Sequence, residues 1–195
     1  MPKIVDHAKR REEIVAATWR VIDRLGLDEA TTRRIAEEAG YSNGVLAHYF
    51  RDKDDILVQA LTLAHEHVRS RAAVVRQDRA GLAALRAVVE EALPLDPARL
   101  LEARIEFSFL ERARTVPRLR EVHREEQAHF RARLAELVRG ARTEGAVPAH
   151  VTDDEAVRQI LVLVDGLSIQ ALLDPERVTA AVQLRMLDLL LASWS

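Results

Sequence analysis

Cysteine is absent from this chain of 195 residues, which excludes disulfide bonds and thiolate metal sites. Only seven glycines and six prolines occur, and most of them lie between helical patterns, so we predict an almost entirely helical protein. We find neither a basic and then apolar leader nor an apolar run of about 18 residues, and we therefore expect no secretion signal and no membrane span. Together these absences predict a cytoplasmic protein.

Neither sign of charge dominates the chain: the net charge is -2, and 48% of the residues are hydrophobic, enough for a substantial core. The placement of the cations is more informative than their sum, because clustered cations can contact successive phosphates of a nucleic acid. They form three groups near the N-terminus: Lys9, Arg10 and Arg11; Arg33 and Arg34; Arg51 and Lys53.

Two short helical patterns meet at Gly40, with no room for a longer loop between them. In the first pattern Ile35 and Ala39 share an apolar face, and Thr31 or Thr32 can accept a backbone N–H at its start. A glycine just past the last apolar position can adopt the left-handed conformation that ends a helix. The spacing therefore predicts a helix that stops at Gly40.

The second pattern begins after Ser42, whose hydroxyl is well placed to cap a helix from residue 43 to 50. Leu46, Tyr49 and Phe50 recur at i, i+3 and i+4, which predicts one inward face. The two patterns together predict a helix-turn-helix. The outward face of the second helix would carry Asn43, Gly44, Val45, Ala47 and His48.

This outward face is better suited to DNA than to water. A glycine inside a helix costs about 1 kcal/mol relative to alanine, so Gly44 suggests that another backbone, here a phosphodiester, must come close. Asn43 can pair bidentately with adenine, and Val45 can pack on a thymine methyl group. Both contacts fit a major groove.

The run from Thr31 through Lys53, T-T-x-x-I-A-x-x-A-G-x-S-x-G-x-L-x-x-Y-F-x-x-K, resembles the DNA-binding signature of TetR-type transcriptional repressors. The resemblance is strong over the first third of the chain and architectural beyond it. It implies an all-α homodimer with a three-helix DNA-binding head and a larger helical domain for effector binding and dimerisation. It also implies a repressor that binds a palindromic operator and is released by a small-molecule effector.

Carried over position by position, the resemblance implies ten DNA-binding residues. Thr32, Arg33 and Ser42 would lie near phosphates or the groove edge, Asn43, Gly44, Val45, Ala47 and His48 on the bases, and Tyr49 and Lys53 on the DNA backbone. The chain departs from the common family pattern at Ala47, where an aromatic residue is frequent, and at Val45, where threonine is frequent. Tyr49, Phe50 and Lys53 are all present, so the resemblance still implies the family's docking mode.

Apolar periodicity predicts helices along the rest of the chain. An amphipathic pattern that ends at Gly26 predicts a first helix, whose apolar face would cover the backs of the two short helices. Asp52 can cap a long helix over residues 53 to about 76. We expect this helix to be the only continuous link between a DNA-binding domain at residues 1–52 and an effector-binding and dimerisation domain at residues 53–195.

The last two predicted helices differ in kind from the others. Thr152 and Glu155 have the spacing of a capping box, and the apolar residues over 156–173 and 178–194 occupy more than one helical face. One small domain cannot easily cover such helices on all sides. We therefore expect them to pair with a second copy as a four-helix bundle, which makes the protein a homodimer.

No motif identifies the effector. The candidates are polar or aromatic residues within apolar helical stretches: Phe107, Phe109, His123, Gln127, Phe130, Asp165 and Gln170. Each of them has a structural alternative, because buried polar groups are commonly satisfied within the protein. Asp165 interrupts the run LVLVDGLSIQALL, so we expect it to meet an arginine, a helix end or a polar ligand.

The VDGL stretch and the HYF ending also resemble the branch that contains the choline-responsive repressor of betaine synthesis. A quaternary ammonium group prefers an aromatic cage, and aromatic residues make up only 4% of this chain.

Two constellations could suggest other chemistry. His65 and His67 point apart on a helix, so we expect solvated or half-buried imidazoles rather than a metal site. Glu102 and Glu106 could suggest acid-base chemistry, but arginines 99, 104 and 112 are close on the same helix, and we expect a solvated ion-pair face.

We predict no enzyme, no cofactor and no metal, because the chain has no nucleophile elbow, no phosphate loop and no workable metal constellation. The alternative to a ligand-responsive repressor is a DNA-binding regulator that a protein partner controls, or that responds to no ligand.

Overall fold

The structure, a computed structural model, describes residues 7–194, and within that range it contains nine α-helices and no β-strand. The predicted all-α fold is confirmed. The helices are α1 (His7–Leu25), α2 (Thr32–Ala39), α3 (Asn43–Tyr49), α4 (Lys53–Arg76), α5 (Gly81–Ala92), α6 (Pro97–Ala113), α7 (Pro117–Thr143), α8 (Asp153–Leu173) and α9 (Ala180–Ala192). Residues 1–6 and 195, which belong to the two predicted domains, lie outside the described residues.

The described chain forms two compact units. The first contains residues 7–64 together with Arg104–Arg120, and the second contains His65–Ala103 together with residues 121–194. The predicted functional boundary after residue 52 stays a prediction. The expectation that α4 is the only helix connecting the two parts of the chain is wrong, since α6 and α7 also have residues in both units.

In the first unit, α1 supplies the apolar surface against which α2 packs. Ile14 and Ile22 are fully buried, as their periodicity predicts. Trp19 is buried as well, and its indole Nε1–H donates to the carbonyl oxygen of Ala60 in α4 at 3.2 Å. This bond fixes α4 against α1.

In the second unit, α8 begins with the predicted capping box. The Thr152 side chain accepts the backbone N–H of Glu155 at 3.2 Å, and the Glu155 carboxylate accepts that of Thr152 at 2.8 Å. By length and composition α8 could cross a membrane, so the expectation that the chain has no such stretch is wrong. The core helix of a soluble protein has the same composition, and α8 contributes to a buried apolar cluster: Ala156, Val157, Ile160, Leu161, Val164 and Leu167.

Apolar side chains are exposed on α8 and α9 of the single chain. They are Val162, Ile169 and Leu173 on α8, and Val182, Met186 and Leu189 on α9. The three residues of α8 recur at i, i+7 and i+11, and Asp165 lies at i+3 of the same face. Asp165 is exposed too, so the premise that it lies in an apolar interior of the chain is wrong.

Glu102 is buried, with 7% of its surface exposed, and does not lie on a solvated face. Arg71 of α4 donates to its two carboxylate oxygens at 2.8 and 2.6 Å, and to Glu91 of α5 at 2.9 Å. Arg99 donates to Glu91 at 3.2 Å. The expected ion pairs within α6 are therefore wrong for Glu102, because its arginine lies 31 positions away in the sequence.

The two histidines of α4 also lie beside carboxylates. The Nδ1 atom of His65 is 3.0 Å from Glu126, and that of His67 is 3.2 Å from Glu102. Each carboxylate also accepts from an arginine, Glu126 from Arg69 at 3.0 Å. His65 is half-buried and His67 is exposed, as expected, and each lies beside an arginine–glutamate pair.

Removal of the buried carboxylate should destabilise the protein. We expect Glu102→Ala to lower the free energy of unfolding by about 3 kcal/mol, because part of the charge of Arg71 would lose its partner. The matched control is Glu121→Ala, which removes an exposed glutamate paired with Arg124. It should cost less than about 0.5 kcal/mol. Urea denaturation at one protein concentration measures the free energy of unfolding of both variants. Equal losses of stability would show that the buried pair of Glu102 and Arg71 is worth no more than an exposed one.

Candidate nucleic-acid interface

The turn between α2 and α3 has the geometry of a helix-turn-helix. The Thr31 hydroxyl accepts the backbone N–H of Arg34 at 3.3 Å, and Gly40 ends α2 in the left-handed region, with φ of 74°. The Ser42 hydroxyl then accepts the backbone N–H of Val45 at 3.3 Å and begins α3. All three predicted stop and start signals are confirmed.

The burial pattern of α3 determines which side chains it presents to solvent. Leu46 and the following Phe50 are buried, whereas Val45 and Tyr49 are half-buried. The remaining residues of the predicted base-contacting set are exposed: Asn43, Gly44, Ala47 and His48. α3 therefore exposes one continuous surface of small and polar groups.

Gly44 is not required by the packing of the protein itself. Its φ is not in the left-handed region, and a Cβ atom built on it would meet only the Ser42 hydroxyl oxygen, at 3.8 Å. A methyl group would therefore fit within the chain. If glycine is required at this position, the requirement comes from outside the chain.

The predicted phosphate contacts are accessible to different degrees. Thr32 is half-buried, and Ser42 is exposed. Three arginines of this region pair with carboxylates: Arg33 with Glu37, Arg34 with Glu29, and Arg51 with Asp55. The pairs of Arg33 and Arg34 are exposed and contribute little to stability, so a phosphate can compete for these two guanidinium groups, whereas Asp55 is half-buried.

Lys53 has a structural contact that sequence reasoning missed. Its Nζ atom donates to the carbonyl oxygen of Leu27, in the turn after α1, at 2.6 Å. Partial burial lowers the pKa of the Lys53 ammonium group below its usual value, and the charge of Arg112 lowers it further. The predicted role of Lys53 on the DNA backbone stays a prediction, and the side chain also holds α4 in place.

The first turn of α4 is tied to the last turn of α6 and the first turn of α7. Arg118 donates to Asp55 at 2.7 Å, and Arg112 donates to Asp54 at 2.9 Å. Partial burial alone would raise the pKa of Asp55, but the hydrogen bonds from Arg51 and Arg118 outweigh it and lower the pKa to about 2. Sequence reasoning missed these partners, which lie 58 and 63 positions away.

A small pocket lies between the first turn of α1 and the last turn of α3. It is lined by His7, Ala8, Arg11, His48 and Tyr49. Sequence reasoning noted the arginine as one of a group of cations and missed His7. A sequence pattern does not show which residue of α1 comes to lie beside α3.

The predicted effector residues lie in different surroundings. Within the first unit, Phe109 is fully buried and Phe107 is half-buried. Within the second unit, His123, Gln127 and Phe130 are half-buried and follow one another at i, i+4 and i+7 on α7, so they share a face, whereas Asp165 and Gln170 are exposed on α8. Their role in effector binding stays a prediction.

Comparison with known families supports the helix-turn-helix assignment. Residues 14–60 match the model of bacterial regulatory proteins of the tetR family, and residues 81–194 match that of the BetI-type transcriptional repressor, C-terminal. The chain belongs to the TetR family. This membership makes it a DNA-binding transcriptional regulator of the BetI type.

Relatives of this TetR-family chain match over most of its length. The HTH-type transcriptional regulator PksA of Bacillus subtilis is 32% identical over 91% of this chain and 86% of its own length. A regulator named BetI from Ectopseudomonas mendocina is 30% identical over 82% of this chain and 93% of its own length.

Solved structures show the same fold. A transcriptional regulator from Rhodococcus has a TM-score of 0.84 and 28% identity, over 94% of this chain and 95% of its own. A proposed regulator from Saccharomonospora viridis, solved in complex with choline, has a TM-score of 0.85 and 24% identity, over 93% of this chain and 94% of its own.

The contact between Lys53 and Leu27 can be tested by a change that keeps the apolar stem. We expect Lys53→Met to lower the free energy of unfolding by about 1.5 kcal/mol, because a carbonyl group loses a charged donor. Arg139→Met, a change at an exposed cation of α7, is the control and should leave stability within about 0.5 kcal/mol. Equal stabilities of the two variants in urea denaturation would contradict a structural role of Lys53.

Proposed function

We propose that this regulator is a cytoplasmic homodimer that represses transcription from a palindromic operator and is released by a small-molecule effector. The observation that carries this proposal is the surface of α3. It buries Leu46 and exposes Asn43, Gly44, Ala47 and His48 in one row, at the outward face of a helix-turn-helix. A short polar surface of this kind fits the major groove.

The side chains on this surface of α3 are suited to recognising a DNA sequence. Asn43 can accept from and donate to an adenine edge, and the methyl groups of Val45 and Ala47 can contact a thymine methyl. Gly44 and the hydroxyl of Ser42 permit close approach of a phosphodiester at the start of α3. Phosphate contacts would then fix the register, and the base contacts would provide the sequence preference.

The exposed apolar side chains of α8 and α9 support the homodimer. Val162 and Leu173 have 68% and 80% of their surfaces exposed in the single chain, which is costly for large apolar groups in water. A second copy can cover them with the same residues, because a two-fold interface is self-complementary. Two copies of α3 would then read two half-sites of a palindrome.

The ion pairs at the start of α4 support a route for release. Asp54 and Asp55 connect the first turn of α4 to Arg112 and Arg118, so a ligand that shifts the turn between α6 and α7 would pull on α4. The half-buried face of α7 within the second unit carries the candidate effector residues His123, Gln127 and Phe130. A displaced α4 would change the spacing of the two α3 helices and weaken operator binding.

The experiment that tests this function starts from a pool of random DNA duplexes. The purified protein should enrich an inverted repeat, and sedimentation should show a dimer with and without that duplex. Enrichment of no sequence, or a monomer at working concentrations, would overturn the proposal.

Release from DNA by a small molecule can be tested with the enriched duplex. A screen of small metabolites, with choline as the first probe because of the solved structure with choline, should yield a compound that raises the melting temperature and weakens binding to the duplex. The alternative, control by a protein partner or by no ligand, predicts that no compound in the screen does both.

A matched pair of glycine substitutions distinguishes an effect on DNA binding from an effect on folding. We expect Gly44→Ala to leave stability unchanged or raise it by up to about 1 kcal/mol, since the added methyl group meets no close neighbour. The same change should weaken operator binding at least about tenfold, through loss of close backbone approach worth about 1.4 kcal/mol. Gly140→Ala, in α7 and equally unhindered, is the control. It should not alter DNA binding, and unchanged binding by both variants would remove Gly44 from the interface.

A further inference from the structure

We propose that the pocket between α1 and α3 holds one phosphodiester group of the bound DNA, and that His7 and His48 take up protons as it binds. This phosphate site rests on the proposed DNA-reading role of α3, and it adds residues of α1 to the interface. It also assigns His48 to a phosphate, where the family resemblance placed it on a base.

The side chains of the pocket converge on one small space. The ring centroids of His7 and His48 are 6.1 Å apart, and each ring lies about as close to the ring of Tyr49, at 5.5 and 5.4 Å. Arg11 donates through one terminal nitrogen to the backbone carbonyl oxygen of Tyr49, at 3.2 Å. The pocket thus combines two imidazole rings, a guanidinium group and a phenol.

The charged groups around the two imidazoles are mostly cationic. On α1 they are Arg10, whose guanidinium lies 5.6 Å from the centre of the Tyr41 ring, and Arg11, 5.1 Å from the centre of the Phe50 ring. Glu13 accepts a hydrogen bond from the hydroxyl of Tyr41. α3 contributes Tyr49, which shares a hydrogen bond with Arg10 and thereby raises the pKa of that arginine above its usual value.

Two imidazolium groups beside two guanidinium groups repel one another when no anion is present. A phosphodiester placed among them would replace this repulsion by attraction, because it carries a negative charge and accepts hydrogen bonds from both rings. Proton uptake by the two rings should therefore accompany binding of the phosphodiester. Binding is then favoured at low pH and weakens as the pH rises.

The position of the pocket agrees with a phosphate rather than a base. His48 lies at the last turn of α3, whereas Asn43 begins the helix, and His7 is on a different helix. The two imidazoles are exposed, so a groove edge can reach them. A phosphate contact carries no sequence information, so these residues should strengthen binding to every duplex by a similar factor.

The experiment measures binding of the full-length protein to the enriched duplex and to a random duplex of equal length, at pH 6, 7 and 8 and at several salt concentrations. We compare the wild type with His7→Gln, His48→Gln and the double variant. The control is His129→Gln, which changes an exposed histidine of α7. Thermal melting confirms that each variant is folded.

For the wild type and the control we expect affinity for both duplexes to rise about tenfold from pH 8 to pH 6, because imidazole rings that carry a proton donate stronger, charge-assisted hydrogen bonds to the phosphate. The double variant should show little pH dependence and a salt slope that is shallower by about one phosphate contact. Its preference for the enriched over the random duplex should stay that of the wild type. Ethylation of one phosphate in each half-site should weaken the wild type and leave the double variant nearly unaffected.

Equal pH dependence in the wild type and the double variant would overturn the phosphate site. A changed duplex preference in the His48→Gln variant would overturn it as well and would return His48 to the bases. Neither result affects the proposed function, which fails in a different measurement, when the wild type itself prefers no duplex.

Discussion

Burial of Leu46 and Phe50 is the constraint on which the proposed DNA-binding surface of α3 depends. α3 has only seven residues, and a helix of that length is not stable in water by itself. It is held by the Ser42 cap at one end and by its apolar side chains against the rest of the first unit. Because these side chains must point inward, the register of the helix is fixed, and with it the set of groups that face outward.

The rest of the first unit serves the same constraint. α1 provides a buried apolar face, the indole of Trp19 ties it to α4, and Lys53 ties α4 to the turn after α1. The start of α4 is in turn held by Arg112 and Arg118. A shift of these two arginines would therefore act on the first turn of α4 through charged contacts.

Much of the fold could be predicted from the sequence, because its signals are local. Thr31, Gly40, Ser42 and the capping box at Thr152 act within four residues of themselves, and the apolar period of each helix is visible in the chain. The contacts that sequence reasoning missed are not local. Glu102 meets Arg71, Asp54 meets Arg112, and His7 meets His48 only after the helices have packed. Periodicity also could not show that Asp165 faces solvent, since α8 is apolar on several sides.

Recognition of a DNA sequence by the exposed residues of α3 is the central claim. The most direct test is the ratio of affinities for the enriched duplex and for a scrambled duplex, measured for the wild type and for Asn43→Ala at one pH and one salt concentration. Loss of a bidentate base contact should lower that ratio by about tenfold or more, a discrimination of at least about 1.4 kcal/mol, and leave affinity for the scrambled duplex unchanged. An unchanged ratio, or an equal loss on both duplexes, would contradict this role of α3.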